Sequence, residues 1–60
     1  MKEQPTLTDA EWTLIIELLE RELRELPAEI HHTRTPVFRD ELYHRRDMLQ
    51  RLLERLRQAG

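Results

Sequence analysis

The chain has 60 residues, of which 37% are charged, with a formal net charge of −2 and no cysteine. A chain this short forms at most one small domain, whose core barely offsets the conformational entropy of folding. Without cysteine there is no disulfide or thiolate metal site to stabilise it, which leaves oligomerisation. No apolar run approaches the roughly 20 residues that span a bilayer, and the first residues lack the apolar core of a signal peptide. We therefore expect a soluble, cytoplasmic protein without a membrane partner.

The charges are divided unevenly along the chain. Residues 1–30 hold three basic and eight acidic residues, a net charge of −5, whereas residues 31–60 hold seven basic and four acidic residues, a net charge of +3. An arginine-rich half can indicate a nucleic-acid surface. It is equally typical of two neighbouring helices of opposite sign that attract each other. We favour the second interpretation and predict no nucleic-acid partner.

The first predicted helix covers residues 8–26. Thr8 and Glu11 have the spacing of a capping box, in which each side chain accepts a hydrogen bond from the other residue's backbone amide. Pro27 disfavours helical dihedral angles at the residue before it, so the helix is expected to end there.

The predicted connection covers residues 27–35, and the second predicted helix covers residues 36–58. Pro27 is compatible with a further short helical turn through Ile30, and we expect Ile30 to turn inward. The second helix begins at Thr35-Pro36, because threonine suits the cap position and proline suits the first helical position.

Both predicted helices carry an apolar stripe at helical spacing. The first stripe consists of Trp12, Ile15, Ile16, Leu19, Leu23 and Leu26, and the second of Phe38, Leu42, Leu49, Leu52, Leu53 and Leu56. Leu14 and Leu18 form a second ridge beside the first stripe, which requires a second partner. The sequence therefore predicts an all-α, antiparallel two-helix hairpin that dimerises into a four-helix bundle.

Two charged residues interrupt these stripes. Glu22 and Arg45 occupy positions where an apolar residue is expected, and they lie at about the same height in an antiparallel hairpin. We predict an ion pair between them and treat it as a candidate buried pair. Such a pair contributes more to register and partner choice than to stability.

A metal site is the most specific chemistry that the sequence suggests. Glu41 and His44 form a Glu-x-x-His pattern, which in di-iron carboxylate bundles binds metal together with a glutamate from a neighbouring helix. Both residues point away from the apolar stripe, whereas that motif requires them to point inward. His31 and His32 in the connection are further candidate ligands, or groups that titrate together near neutral pH. We interpret all four as solvated or loop-bonding side chains and predict neither a metal nor a cofactor.

Other chemistries have less support. The chain has no serine or cysteine nucleophile, and its single glycine, Gly60, excludes a glycine-rich phosphate loop, so we predict no enzymatic activity and no catalytic residue. A helix-turn-helix DNA reader is disfavoured because its turn has three or four residues, against about nine expected here, and because phosphate would repel an acidic first helix.

The segment LPAEIHHTRTPVFRDEL, with LTDAEW before it and LLERL after it, resembles a set of short, uncharacterised bacterial proteins. The similarity covers Leu7 to Leu56, and the Glu29-Ile30-His31-His32-Thr33 segment is its distinctive part. The resemblance implies an α-helical hairpin. It implies no activity and transfers no catalytic or ligand residue to this chain.

The function that these patterns favour is a non-catalytic, homo-oligomeric interaction or scaffold module, which presents the loop from His31 to Arg34 to a partner. The residues expected to form its core and oligomer interface are Trp12, Leu14, Ile15, Ile16, Leu18, Leu19, Leu23, Phe38, Leu42, Leu49, Leu52, Leu53 and Leu56. One alternative is a metal-binding helical bundle that uses Glu41 and His44. A second alternative is a small subunit of a complex with another protein.

Overall fold

A computed structural model describes residues 6–59, which form two helices and, within that range, no strand. Helix α1 spans Asp9–His32 and helix α2 spans Pro36–Ala59. The start of α1 lies beside the end of α2, where Trp12 and Ile16 line the same depression as Leu56. The helices therefore run antiparallel and pack against each other, which confirms the predicted all-α hairpin. Among the residues that the structure describes, no helix is long and apolar enough to cross a membrane.

The start of α1 is the capping box expected from the sequence. The Thr8 backbone N–H donates to Glu11 Oε1 at 2.8 Å, and the Glu11 backbone N–H donates to Thr8 Oγ1 at 3.1 Å. The first of these bonds, with a smaller contribution from the Thr8 side chain, lowers the pKa of the Glu11 carboxyl group. Two local hydrogen bonds thus satisfy amides that a helix start leaves without partners.

The end of α1 differs from the prediction. The helix was expected to stop at residue 26, but it continues through Pro27 to His32. Leu26 is fully buried and Ile30 is also buried, so this last segment extends the apolar face of α1 over α2. The burial outweighs the hydrogen bond that proline removes. Thr33 closes the end, because its hydroxyl donates to the Glu29 carbonyl oxygen at 2.6 Å.

Replacing Pro27 with alanine is therefore expected to stabilise the protein. Alanine restores a backbone N–H for the Leu23 carbonyl, and Pro27 itself is exposed. We expect the free energy of unfolding to rise by about 1–2 kcal/mol. An interior proline costs a helix about 3 kcal/mol, and it offsets up to about 1 kcal/mol of that cost because it restricts the conformations of the unfolded chain. Urea titration followed by circular dichroism measures the change. Ala28→Gly, at the next exposed position, should lower stability by about 1 kcal/mol. Unchanged or lower stability in P27A would show that Pro27 does not weaken α1.

The connection is shorter than expected, and α2 begins where expected. Residues 33–35 join the helices, and α2 ends one residue beyond its predicted end. Arg39 holds the connection in place, because its Nε and one terminal nitrogen donate to the Thr33 carbonyl oxygen at 3.3 and 2.6 Å. Its backbone N–H also donates to the Thr35 carbonyl oxygen at 2.9 Å. One arginine therefore ties the first turn of α2 to the end of α1.

The core of the single chain is small and lies nearer the connection than expected. Its buried residues are Leu26, Ile30, Leu42, Leu49 and Leu53. Leu19 and Leu23 are partly buried and pack against the cluster of Leu26, Ile30, Leu42 and Leu49. Three residues of the predicted second stripe do not belong to the buried core: Phe38 is 53% exposed, Leu52 is 36% exposed, and Leu56 is half-buried. Phe38 lies in the first turn of α2 and is left mostly open to solvent there.

Candidate interaction surface

One side of the hairpin carries most of the exposed apolar side chains. The Glu22–Arg45 ion pair marks this side, because it bridges the two helices there. Residues three, four or seven positions apart share a helix face. By that spacing Leu18 lies on the same face as Glu22, and Met48 on the same face as Arg45. We call this surface the Leu18/Met48 face; its apolar members are Leu14, Ile15, Leu18, Phe38, Met48 and Leu52.

The apolar members of this face are only partly covered by the chain itself. Leu18 is 52% exposed and Met48 is 69% exposed, and Leu14 and Phe38 are similarly open to solvent. Ile15 is half-buried at the edge of the core. Single exposed apolar residues are common on soluble proteins, whereas a group of them on one side indicates an interaction surface. The second ridge predicted from Leu14 and Leu18 therefore lies on the surface of the hairpin.

The structure contains the ion pair that the sequence predicts, but the pair lies on the surface of the single chain. Arg45 Nε lies 2.8 Å from Glu22 Oε1, and the two side chains are 62% and 34% exposed, respectively. An ion pair this exposed contributes about 0–1 kcal/mol to stability. Because the pair bridges the two helices on the Leu18/Met48 face, a partner bound there would cover it.

The two edges of the face differ in charge. On the α1 edge, Glu25 and Glu29 follow Glu22 at three and seven residues. On the α2 edge, Arg51 and Arg55 line a groove together with Met48 and Leu52. The exceptions on α2 are Glu41, four residues before Arg45, and Asp47, which lines the same groove. The exception on α1 is Arg21, three residues after Leu18. The face is therefore mainly acidic along α1 and mainly basic along α2.

The opposite side of the hairpin carries a second interhelical ion pair, which the sequence reasoning missed. Arg57 donates to Glu20 Oε2 and so joins the end of α2 to the first half of α1. Glu20 and Arg24 also have the i,i+4 spacing that can form an ion pair within one helix. Antiparallel packing brings Arg57 closer, and the opposite net charges of the two halves were the signal that could have indicated it.

A polar cleft lies on that same opposite side, near the connection. Its lining residues are Pro27, Ile30, His31, Arg39, Tyr43 and Arg46. The Arg46 guanidinium carbon stands 5.0 Å from the centroid of the Tyr43 ring, a cation–π contact, and Arg46 also pairs with Asp47 at 3.5 Å. These contacts hold the side chains of Arg46 and Tyr43 against the surface of α2, the helix to which both residues belong.

The candidate metal ligands do not assemble into a site. Glu41 and His44 are exposed on α2, and His31 and His32 are exposed in the last turn of α1. The two adjacent imidazole rings meet edge to face, with centroids 5.4 Å apart. Across residues 6–59 no group of three or more histidine, aspartate or glutamate side chains is placed to hold a metal ion.

The turn length no longer argues against a DNA-binding helix-turn-helix, because the connection has three residues rather than nine. The geometry of the helices argues against that motif instead. Helices of a helix-turn-helix cross at about 90–120°. Here the helices lie side by side, since Trp12 near the start of α1 and Leu56 near the end of α2 line one depression.

The fold and surface define an antiparallel helical hairpin with one partly apolar side. Comparison with protein-family profiles, curated proteins and solved structures finds no match to the chain. The resemblance to short bacterial helical proteins accordingly stays a prediction, and function is inferred from the surface of the hairpin.

Proposed function

We propose that this protein is a non-catalytic interaction module that works as a homodimer, in which two hairpins pack face to face as a four-helix bundle. The observation that carries this proposal is the Leu18/Met48 face. Its apolar side chains come from both helices and share one side of the hairpin, the position from which a second hairpin completes a bundle core.

The energetics of a 60-residue chain support a partner on this face. The single hairpin fully buries only a few large apolar residues, and a chain of this length is near the lower limit for independent folding. Burying a leucine or methionine completely contributes about 1.5–3 kcal/mol. Covering the Leu18/Met48 face thus adds a second layer to a core that is small on its own.

The size of the face suits a dimer. The hairpin measures 40 × 26 × 15 Å, and its broad sides lie parallel to the plane of the two helices. A standard stable interface buries about 800 Å² on each partner. One broad side of the hairpin is large enough to supply that area.

The partner is proposed to be a second copy because the face is complementary to itself in charge. Its α1 edge is mainly acidic, with Glu22 and Glu25, and its α2 edge is mainly basic, with Arg45 and Arg55. A second copy can bring its basic edge to the acidic edge of the first and its acidic edge to the basic one.

The non-catalytic part of the proposal rests on the sequence, which has neither a serine or cysteine nucleophile nor a glycine-rich phosphate loop.

Sedimentation equilibrium over a concentration series tests this proposal, with and without added ferrous or manganous ions. We expect a dimer mass that is unchanged by metal. A monomer under both conditions would overturn the homodimer and favour a subunit that requires a different protein partner.

The same experiment distinguishes the metal-binding alternative from the metal-independent homodimer. A monomer that dimerises only with metal would favour a bundle site that uses Glu41 and His44. His44→Ala is the control for that outcome, because it should abolish the metal-dependent dimer while leaving a metal-independent dimer unaffected.

A further inference from the structure

We infer that the two hairpins of the dimer pair with both connections at the same end, so that α1 of each copy lies over α2 of the other and the two Glu22–Arg45 ion pairs stack at one level. This inference rests on the proposed homodimer. It specifies which of two possible pairings the Leu18/Met48 face forms.

Two hairpins that meet face to face can be related by a twofold axis in two ways. If the axis runs parallel to the helices, α1 covers the second copy's α2, and both connections, residues 33–35, lie at one end. If the axis runs across the helices, α1 covers the second copy's α1, α2 covers the second copy's α2, and the connections lie at opposite ends.

The charges along the face favour the parallel axis. The α1 edge is mainly acidic, with Glu22, Glu25 and Glu29, whereas the α2 edge is mainly basic, with Arg45 and Arg55 beside Glu41. With the axis parallel to the helices, each acidic edge meets the basic edge of the other copy. With the axis across the helices, acidic edges meet each other and basic edges meet each other, and like charges in an interface are costly.

The position of the apolar residues favours the same pairing independently. Leu14 and Leu18 belong to the first half of α1, and Met48 and Leu52 to the second half of α2. In an antiparallel hairpin these halves lie together, between its middle and its open end. Only a parallel axis places each of these residues level with the same residue of the second copy. An axis across the middle of the hairpin would place Leu14 and Leu18 level with the connection half of the other hairpin, where Glu25 lies and Phe38 is the one apolar member of the face.

The same pairing gives the Glu22–Arg45 ion pair a role. The two residues contact each other within one chain at 2.8 Å. The twofold axis brings the second copy's pair to the same level in reversed order, so each glutamate faces the second copy's arginine. Four alternating charges then lie within the apolar interface. A shift of one copy along the helix axis would leave these charges against apolar side chains, which is costly, so the network fixes the register.

Distances between spin labels test the arrangement. The chain has no cysteine, so a single substitution gives one unique labelling site. Arg34→Cys places a nitroxide in the connection and Gln58→Cys places one near the open end, and both positions are exposed and outside the Leu18/Met48 face. Each labelled protein is measured separately by pulsed dipolar EPR, with continuous-wave spectra for the shortest separations.

We expect a short distance in both labelled proteins, roughly 10–25 Å, because packed helices lie about 8–10 Å apart. The opposite arrangement would separate like labels by about the length of the hairpin, 40 Å, in both proteins, and would overturn the inference while leaving the dimer intact. Absence of dipolar coupling between chains, together with a monomer mass for the labelled proteins, would overturn the proposed homodimer itself. The two failures are therefore distinguishable.

Discussion

Replacing Leu18 with glutamate is expected to convert the dimer into a monomer without unfolding the helices. Leu18 is 52% exposed in the single chain, so about half of its burial, roughly 1 kcal/mol, remains to be gained from a partner. Each dimer contains two copies of the residue, and the substitution also introduces two carboxylates into an apolar interface. The combined loss of at least about 2 kcal/mol corresponds to a rise in the dimer dissociation constant of at least about 30-fold. Sedimentation equilibrium measures it directly.

Gln50→Glu is the matched control for this substitution. Gln50 is exposed and lies four residues after Arg46, on the side of the hairpin away from the Leu18/Met48 face. Gln50→Glu introduces the same negative charge as L18E but outside the Leu18/Met48 face. It should therefore leave the dimer dissociation constant within about threefold of the original value. Circular dichroism should show the same helix content in both variants. An unchanged dimer in L18E would show that Leu18 is not part of the interface and would remove the main support for the proposed module.

Replacing Leu26 with alanine is expected to cause the largest loss of stability of any single substitution considered. Leu26 is 0% exposed and belongs to the central cluster with Ile30, Leu42 and Leu49. Truncating a buried leucine to alanine costs about 2–5 kcal/mol. A 60-residue protein has a total stability of roughly 3–9 kcal/mol, so we expect L26A to be largely unfolded or to melt at a much lower temperature.

Urea and thermal unfolding followed by circular dichroism measure this effect, at one fixed chain concentration because a dimer's apparent stability depends on concentration. Val37→Ala is the control, since Val37 is a highly exposed apolar residue in the first turn of α2 and should change stability by no more than about 0.5 kcal/mol. A loss below about 1 kcal/mol in L26A would contradict the placement of Leu26 at the centre of the core.

The sequence predicted the features that depend on short-range interactions. The capping box at Thr8 and Glu11 involves residues three apart, so its hydrogen bonds follow from local geometry. The start of α2 at Pro36 was also predicted correctly, because proline is favoured at the first helical position. The antiparallel pairing followed from two stripes joined by a short segment, and it was sufficient to predict the contact between Glu22 and Arg45.

The features that the sequence reasoning missed depend on packing between the helices. Pro27 was expected to end α1 on local grounds, but burial of Leu26 and Ile30 against α2 continues the helix to His32. The same packing leaves Phe38, in the first turn of α2, mostly exposed.

By itself, the sequence determined that this protein is an all-α hairpin with more apolar surface than one partner helix covers, because helix periodicity and capping are encoded within a few residues of each position. Only the tertiary structure decided where that surplus lies. Burial depends on which side of each helix faces the other, and it was the packing of α1 on α2 that left Leu18 and Met48 exposed on the side marked by Glu22 and Arg45.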